Sequence, residues 1–136
     1  MKINSKLLNV WGKWLSETMW DYFSTITFKF DMKPQQSLNH LKMIEKRLNK
    51  LTLSFKYFYV VEKTSRVQSH IHMLLKGKGA KVEVDKYLKE KNLVNPKYVK
   101  HLDYDSSKGA SYYIVKYIEN KELDYDLIFS DDFLKD

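Results

Sequence analysis

Hydrophobic residues recur along the chain with two spacings, one typical of helices and one typical of strands. Spacing of about 3.6 residues predicts helices over residues 5–19, 37–53, 82–91 and 106–121. Runs rich in aromatic and β-branched residues predict strands over residues 22–30, 55–62, 68–76 and 98–104. Pro34 is expected to mark a break after the first strand, and Gly77 and Gly79 to end the third. The last residues have no clear period, so we expect them to be weakly helical or irregular.

The order of these elements predicts the fold class. A first helix is followed by β-α-β-β-α-β and by a last helix, and the middle part is the split βαβ pattern of a ferredoxin-like or RNA-recognition-like (RRM-like) α+β domain with an antiparallel sheet. We therefore expect a single domain over residues 1–121, which includes the N-terminal and C-terminal helices, and an acidic tail over residues 122–136. Because this fold hosts many activities, function has to be argued from a site.

Charge is unevenly distributed along the 136 residues. The net charge is +7, but residues 119–136 hold seven acidic residues and two lysines, so the tail carries −5 and residues 1–118 carry +12. A basic body indicates a polyanionic partner, most often nucleic acid. There are 22 lysines and only two arginines, which disfavours base reading by forked arginines. A solvated lysine-rich surface is the alternative explanation.

Composition also excludes several kinds of chemistry. The sequence has no cysteine, which rules out disulfides, thiolate zinc sites, iron–sulfur clusters and cysteine nucleophiles. No apolar run approaches the ~18–20 residues that span a bilayer, and no secretory signal is visible. We expect a soluble protein in the cytoplasm of a host cell, with no membrane partner.

His70 and His72 lie two residues apart in the third predicted strand, so both side chains point to one face of the sheet. A hairpin centred on Arg66 puts Glu62 opposite His70 at ~5 Å and diagonal to His72 at ~7 Å. Two imidazoles and one carboxylate suit Mn²⁺, Mg²⁺ or Zn²⁺. Without Glu62, two ordinary hydrogen-bonded histidines would explain the pair equally well. A packing or surface role is expected for the other histidines, His40 and His101.

The last predicted helix carries candidate nucleophiles. Tyr113 and Tyr117 lie one turn apart on one face, and Lys116 neighbours both. A phenol needs charge assistance to attack phosphorus, and a metal ion together with a nearby ammonium group provides it. On the helix alone, tyrosines that simply cover its flank remain the simpler interpretation. Tyr112 is the weaker candidate.

Three segments resemble, in the same order, motifs of the HUH endonuclease superfamily and in particular its rolling-circle replication initiators (Rep proteins). Residues 23–28, FSTITF, are similar to a first-strand F-T-L-T motif, with Ser24 where threonine is common. Residues 70–72, HIH, look like the histidine–hydrophobic–histidine motif, and residues 113–116, YIVK, match Y-x-x-K. Glu62 resembles the acidic third ligand of viral and plasmid initiators.

The resemblance implies a metal-dependent endonuclease and strand transferase. Tyr113 would attack a phosphate of single-stranded origin DNA, leaving a 5′-phosphotyrosine and a free 3′-OH that can reverse the step. His70, His72 and Glu62 would hold Mn²⁺ or Mg²⁺, with Lys116 assisting. Tyr117 is either a second nucleophile or a neighbouring aromatic, and we favour a single nucleophile. Residues that flank the site are candidate DNA contacts: Thr25, Thr27, Lys29, Lys56, Lys63 and Arg66.

The resemblance also bears on partners. Residues 76–81 lack the spacing of a P-loop, so we expect a host helicase to unwind the DNA unless the DNA, at an origin or hairpin, is already single-stranded. A host polymerase is a further expected partner. A homodimer is left open.

Two alternatives compete with a replication initiator. A single-domain HUH tyrosine transposase would use similar chemistry on hairpins at transposon ends, but those enzymes usually carry a glutamine where this chain has Lys116. Plasmid relaxases fit less well, since they tend to use three histidines and an N-terminal tyrosine. A non-catalytic RRM-like module could bind single strands through exposed aromatic residues. That interpretation leaves the cluster of Glu62, His70 and His72 unexplained.

Overall fold

An antiparallel five-stranded sheet and two helices form most of the chain that the computed structural model describes, which is residues 13–62, 70–109 and 123–130. The elements are β1 (Tyr22–Phe28), α1 (Pro34–Lys50), β2 (Lys56–Glu62), β3 (His70–Lys76), α2 (Ala80–Glu90), β4 (Val94–Asp103) and β5 (Leu123–Phe129). The strands lie in the order β4-β1-β3-β2-β5. The predicted α+β class and its β-α-β-β-α-β order are confirmed.

Alternation along the strands gives the sheet two different faces. The helix face packs against α1 and α2, and its strand residues are buried: Ile26, Phe28, Tyr57, Tyr59, Val61, Ile71, Met73 and Leu75. Each large apolar side chain buried in this way contributes about 1.5–3 kcal/mol. We call the opposite face, which carries His70 and His72, the histidine face. Both helices lie on the helix face, so neither covers the histidine pair.

Tyr57 shows how the helix face accommodates polar atoms. Its phenol is fully buried and donates a hydrogen bond of 2.7 Å to the backbone oxygen of Leu41 in α1. Burial raises the pKa of the Tyr57 phenol. The hydroxyl therefore stays protonated and ties β2 to α1.

Two prolines occupy positions that differ from the prediction. α1 begins at Pro34, three residues before the predicted start, because proline fits the first helical turn, where its missing N–H costs nothing. The prediction that Pro34 only breaks the chain is therefore wrong. β4 begins at Val94, before Pro96 rather than after it, and a local irregularity in its pairing with β1 accommodates the proline.

The predicted N-terminal helix ends earlier than residue 19. Residues 13–15 are helical and a turn follows, in which the Trp20 indole donates a 2.8 Å hydrogen bond to the backbone oxygen of Leu15. The part of this prediction over residues 1–12 lies outside the described residues. The last predicted helix is also mostly outside them, since only its first residues, 106–109, are described, and 106–108 form a turn.

The acidic tail contains a strand, so the prediction that it is weakly helical or irregular is wrong for residues 123–129. β5 pairs with β2 along its whole length, from Glu62 opposite Leu123 to Lys56 opposite Phe129. The signal was present in the sequence, where Leu123, Tyr125 and Leu127 alternate with aspartates in the strand pattern. Net charge alone hid that alternation.

Candidate functional site

The hairpin of β2 and β3 has the register that the sequence predicted. Described pairs run from Lys56 opposite Lys76 to Val61 opposite Ile71. The next position in the same register sets Glu62 opposite His70, as a hairpin centred on Arg66 requires. The side chain of Glu62, and Lys63 and Arg66 with the rest of residues 63–69, lie outside the described part of the structure.

His70 and His72 present parallel rings on the histidine face. Their ring centroids are 6.3 Å apart and their planes differ by 2°. Phe23 of β1 stacks on the other side of His72 at 6.1 Å and 1°. His72 is 5% exposed, while His70 is half-buried. The row of three rings holds both imidazoles in one orientation.

Two threonines of β1 contact the histidines directly. Thr27 lies opposite His70 and Thr25 opposite His72. The Thr27 hydroxyl is 3.0 Å from Nδ1 of His70, and the Thr25 hydroxyl is 3.4 Å from Nδ1 of His72. In the tautomer with hydrogen on Nδ1, each ring donates to a hydroxyl oxygen. Metal-binding histidines are held in this way, with one ring nitrogen bonded to a protein acceptor and the other serving as the ligand.

The donor chemistry of the pair fits a divalent ion. Two imidazoles suit ions such as Mn²⁺ or Zn²⁺ when an oxygen ligand completes the set. Among the described side chains, no group of three histidine or carboxylate residues converges on one point. The third donor predicted from the sequence is Glu62, whose backbone has the matching register position.

The comparisons with known proteins identify the family. A family model for replication-associated proteins of the ORF2 type matches residues 21–122. The chain belongs to this family. No curated protein and no solved structure matches the chain significantly.

Membership of the replication-associated family confirms the predicted replication class and implies DNA binding. The match spans both threonines, the histidine pair and the segment that holds Tyr113, Lys116 and Tyr117. These three residues lie outside the described part of the chain, so their roles stay predictions. No helix among the described residues is long and apolar enough to cross a membrane.

Two lysines predicted as DNA contacts in this replication-associated protein have different surroundings. The exposed Lys29, just after β1, donates to the side-chain oxygen of Asn92. Lys56 lies at the opposite end of β2 from Glu62, roughly 20 Å away along the strand. Its ammonium group donates to Thr18 at 2.8 Å and lies within 6 Å of the rings of Trp14 and Trp20.

The environment of Lys56 disfavours its charged form. Burial lowers the pKa of Lys56, and the nearby charge of Lys76 lowers it further. Its contact with DNA stays a prediction, since Lys56 now has a packing role of its own.

The sequence interpretation of this replication-associated protein missed Lys100. Lys100 is exposed on β4 opposite Thr25, and therefore shares the histidine face with His72. Leu102, two residues on and opposite Phe23, is 57% exposed. Strand periodicity puts Lys100 and Leu102 on one face, but only the strand order shows that this face is the one with the histidines.

The remaining histidines have the packing roles predicted for them. His101 of β4 bonds through Nδ1 to the buried hydroxyl of Ser24 at 2.6 Å and through Nε2 to the carboxylate of Asp85 at 2.8 Å. His40 bonds to the Tyr87 hydroxyl at 2.7 Å. Burial, followed by the charge of Lys91, lowers the pKa of His40.

Proposed function

We propose that this protein is a replication initiator of the HUH type, which cuts and rejoins single-stranded DNA through a covalent tyrosine intermediate. The observation that best supports the proposal is the pair of parallel imidazoles, each contacted at Nδ1 by a threonine, in a chain of a replication-associated family. A pair of ordinary packing histidines would not require two hydroxyl partners at matching register positions.

The reaction assigned to the chain is a transesterification. The Tyr113 phenolic oxygen attacks phosphorus, a P–O bond to tyrosine forms, and the P–O3′ bond of the DNA breaks. The phenol loses its proton and the departing 3′ oxygen gains one, so no redox partner is needed. Lys116 offsets negative charge near the reacting phosphate. A divalent ion held by His70, His72 and Glu62 would polarise that phosphate.

The position of β5 supports this arrangement. Leu123 pairs with Glu62, and two strand spacings, about 10 Å, separate its backbone from that of His70. If the predicted last helix ends at Lys121, two residues connect it to β5. A helix that carries Tyr113 and Tyr117 would therefore end beside the histidine pair.

The histidine face offers a surface for the DNA strand. Lys100 and Thr25 lie in one cross-strand row with His72. An exposed lysine in this row can contact a phosphate, while the exposed Leu102 can contact a base or sugar. Because phosphate contacts dominate affinity, we expect binding to weaken steeply with salt. Host proteins for unwinding and synthesis belong to the same proposal.

The test is covalent capture of labelled DNA. The protein is incubated with Mn²⁺ and a randomised single-stranded oligonucleotide pool labelled at the 3′ end, because the tyrosine would keep the 3′ fragment. A labelled adduct that survives denaturing electrophoresis is expected. It should disappear with EDTA and in Tyr113→Phe, with a loss of at least about 10³-fold.

Tyr117→Phe is the matched control and should keep the adduct. An adduct that persists in Tyr113→Phe and vanishes in Tyr117→Phe would move the nucleophile to Tyr117. Tight, metal-independent binding of the pool with no adduct in any variant would replace the proposal with a non-catalytic single-strand-binding module.

A further inference from the structure

β4 contains a bulge next to the end of β1. The two strands pair at Ile26 opposite Val99 and again at Phe28 opposite Val94. One residue separates these pairs on β1, but four residues, 95–98, separate them on β4. The extra residues cannot continue the ladder, so this part of β4 leaves the sheet.

A cleft of about 420 Å³ lies between this bulge and α2, on the helix face of the sheet. Its walls are apolar, formed by Leu88 of α2 and by Val94, Pro96 and Val99 of β4. The volume falls in the range of small-molecule sites, ~300–1,000 Å³, which combine apolar walls with a few placed polar groups.

The polar groups of the cleft favour an anion. Two exposed lysines, Lys29 and Lys89, contribute ammonium groups to the lining, against a single carboxylate from Asp85. The Asp85 carboxylate is bonded to His101 at 2.8 Å, so part of its charge is already engaged within the wall. An occupant with an apolar ring and a negative charge fits this combination.

The cleft lies close to the proposed cleavage site, although it opens on the other face. Lys29 lies two residues beyond Thr27, whose hydroxyl contacts His70. The cleft and His70 therefore share one end of β1, with the β4 edge between them. A DNA strand that crosses the histidine face at His70 would need to pass only one strand, β4, to reach the cleft.

From these observations we propose that the cleft between α2 and the β4 bulge binds one nucleotide of the single-stranded DNA that flanks the cleaved phosphate. The apolar walls would contact the base and the two lysines its phosphate. The inference rests on the proposed function for the identity of the strand, but the pocket itself needs neither metal nor Tyr113.

The test uses NMR of protein with ¹³C-labelled leucine and valine methyl groups, in EDTA. Thymidine 5′-monophosphate, thymidine and inorganic phosphate are titrated separately. We expect the monophosphate to shift the methyl signals of Leu88, Val94 and Val99 with an affinity at least about tenfold higher than that of either fragment. Leu102, exposed on the histidine face, is the control reporter.

A charge variant gives a second measurement. Lys29→Gln combined with Lys89→Gln should weaken monophosphate binding about tenfold, because both ammonium groups are removed. The matched control, Lys42→Gln combined with Lys50→Gln on α1, removes the same charge away from the cleft and should change the affinity less than about twofold.

Three results would overturn the inference: shifts confined to Leu102, phosphate alone binding as tightly as the monophosphate, or no loss in the cleft variant. Failure of the covalent capture experiment is separate. Cleft binding without any adduct would sink the cleavage proposal and leave a nucleotide pocket, whereas an adduct with an inert cleft would sink only the pocket.

Discussion

Thr25 and Thr27 give the first-strand motif a physical meaning. The sequence suggested them as DNA contacts, but their hydroxyl groups lie against Nδ1 of His72 and His70. A hydroxyl at this position fixes the ring orientation and tautomer of a metal ligand, which raises its affinity for the ion. The same two residues therefore connect β1 to the proposed metal site.

Thr27→Val tests that connection. Valine keeps the shape and β-propensity of threonine but removes the acceptor for His70, so Mn²⁺ affinity measured by calorimetry should fall by about 10–100-fold. Thr27→Ser restores the hydroxyl and should recover most of the affinity. Wild-type affinity in Thr27→Val would show that the hydroxyl does not support metal binding.

The site was only partly accessible from the sequence. The spacing of His70 and His72, and the hairpin register that brings Glu62 opposite His70, follow from strand alternation and a short connection. The contacts of Thr25 and Thr27 depend on β1 lying beside β3, which no local pattern encodes. Lys100 was missed for the same reason, since it shares the histidine face only through the order of strands.

β5 is held to the sheet by a clasp at its end. The buried Ser130 hydroxyl accepts a hydrogen bond of 3.0 Å from the backbone N–H of Phe55, and the Ser130 N–H donates to the Phe55 oxygen at 2.9 Å. The clasp comes directly after β5 and directly before β2. It therefore fixes the register of an edge strand that the sequence interpretation had not recognised.

Ser130→Ala should destabilise the protein by about 1–3 kcal/mol, because it leaves the buried Phe55 N–H without the acceptor. The measurement is the free energy of unfolding in urea, followed by circular dichroism. Ser106→Ala, at an exposed turn position, is the control and should change this free energy by less than about 0.5 kcal/mol. Equal effects in the two variants would contradict the importance of the clasp.

The turn between β3 and α2 depends on Gly77 more than on Gly79. Gly77 has φ +140°, and a Cβ there would lie 2.5 Å from the backbone oxygen of Ser54. Gly79 has φ +83°, but a Cβ would meet only Leu53 at 3.9 Å. The backbone clash has no flexible side chain to relieve it.

Gly77→Ala should therefore lower the free energy of unfolding by roughly 2–4 kcal/mol, and Gly79→Ala by about 1 kcal/mol. Urea unfolding of the two variants side by side measures the difference. A larger loss in Gly79→Ala would show that left-handed strain, and not the clash with Ser54, limits this turn.

The whole fold carries a pH-dependent tie between its helices. Arg47 of α1 bonds to Glu83 at 3.0 Å and in a forked manner to Glu90, at 2.7 and 3.1 Å, both on α2. The hydrogen bonds from Arg47 lower the pKa of both carboxyl groups from the ordinary 4.5. A lowered folded-state pKa contributes stability that is present above pH 4.5 and lost as the pH falls below it.

Arg47→Met should consequently be less stable than the wild type near neutral pH, with a difference that shrinks as the pH falls toward about 3. Chemical unfolding at a series of pH values measures it. Lys46→Met, one residue away and exposed, should parallel the wild type at every pH. A gap between Arg47→Met and wild type that stays constant with pH would assign the effect to packing.

The class of fold was predictable because the period of the apolar residues changes clearly between strands and helices. Boundaries were not, as Pro34 and Pro96 show. A proline is compatible with a break, a helix start or a strand bulge, and tertiary packing selects among them. The strand in the acidic tail was overlooked because net charge was weighed before alternation.

The bulge around Pro96 also affects how molecules of this protein meet one another. β4 is an edge of the sheet, and an edge strand with a free row of backbone groups invites pairing with a second chain. A proline, a local departure from the ladder and the exposed Lys97 and Lys100 interrupt that row. The irregularity that opens a cleft on one side thus also keeps the sheet from growing at its edge, and protects the protein against aggregation.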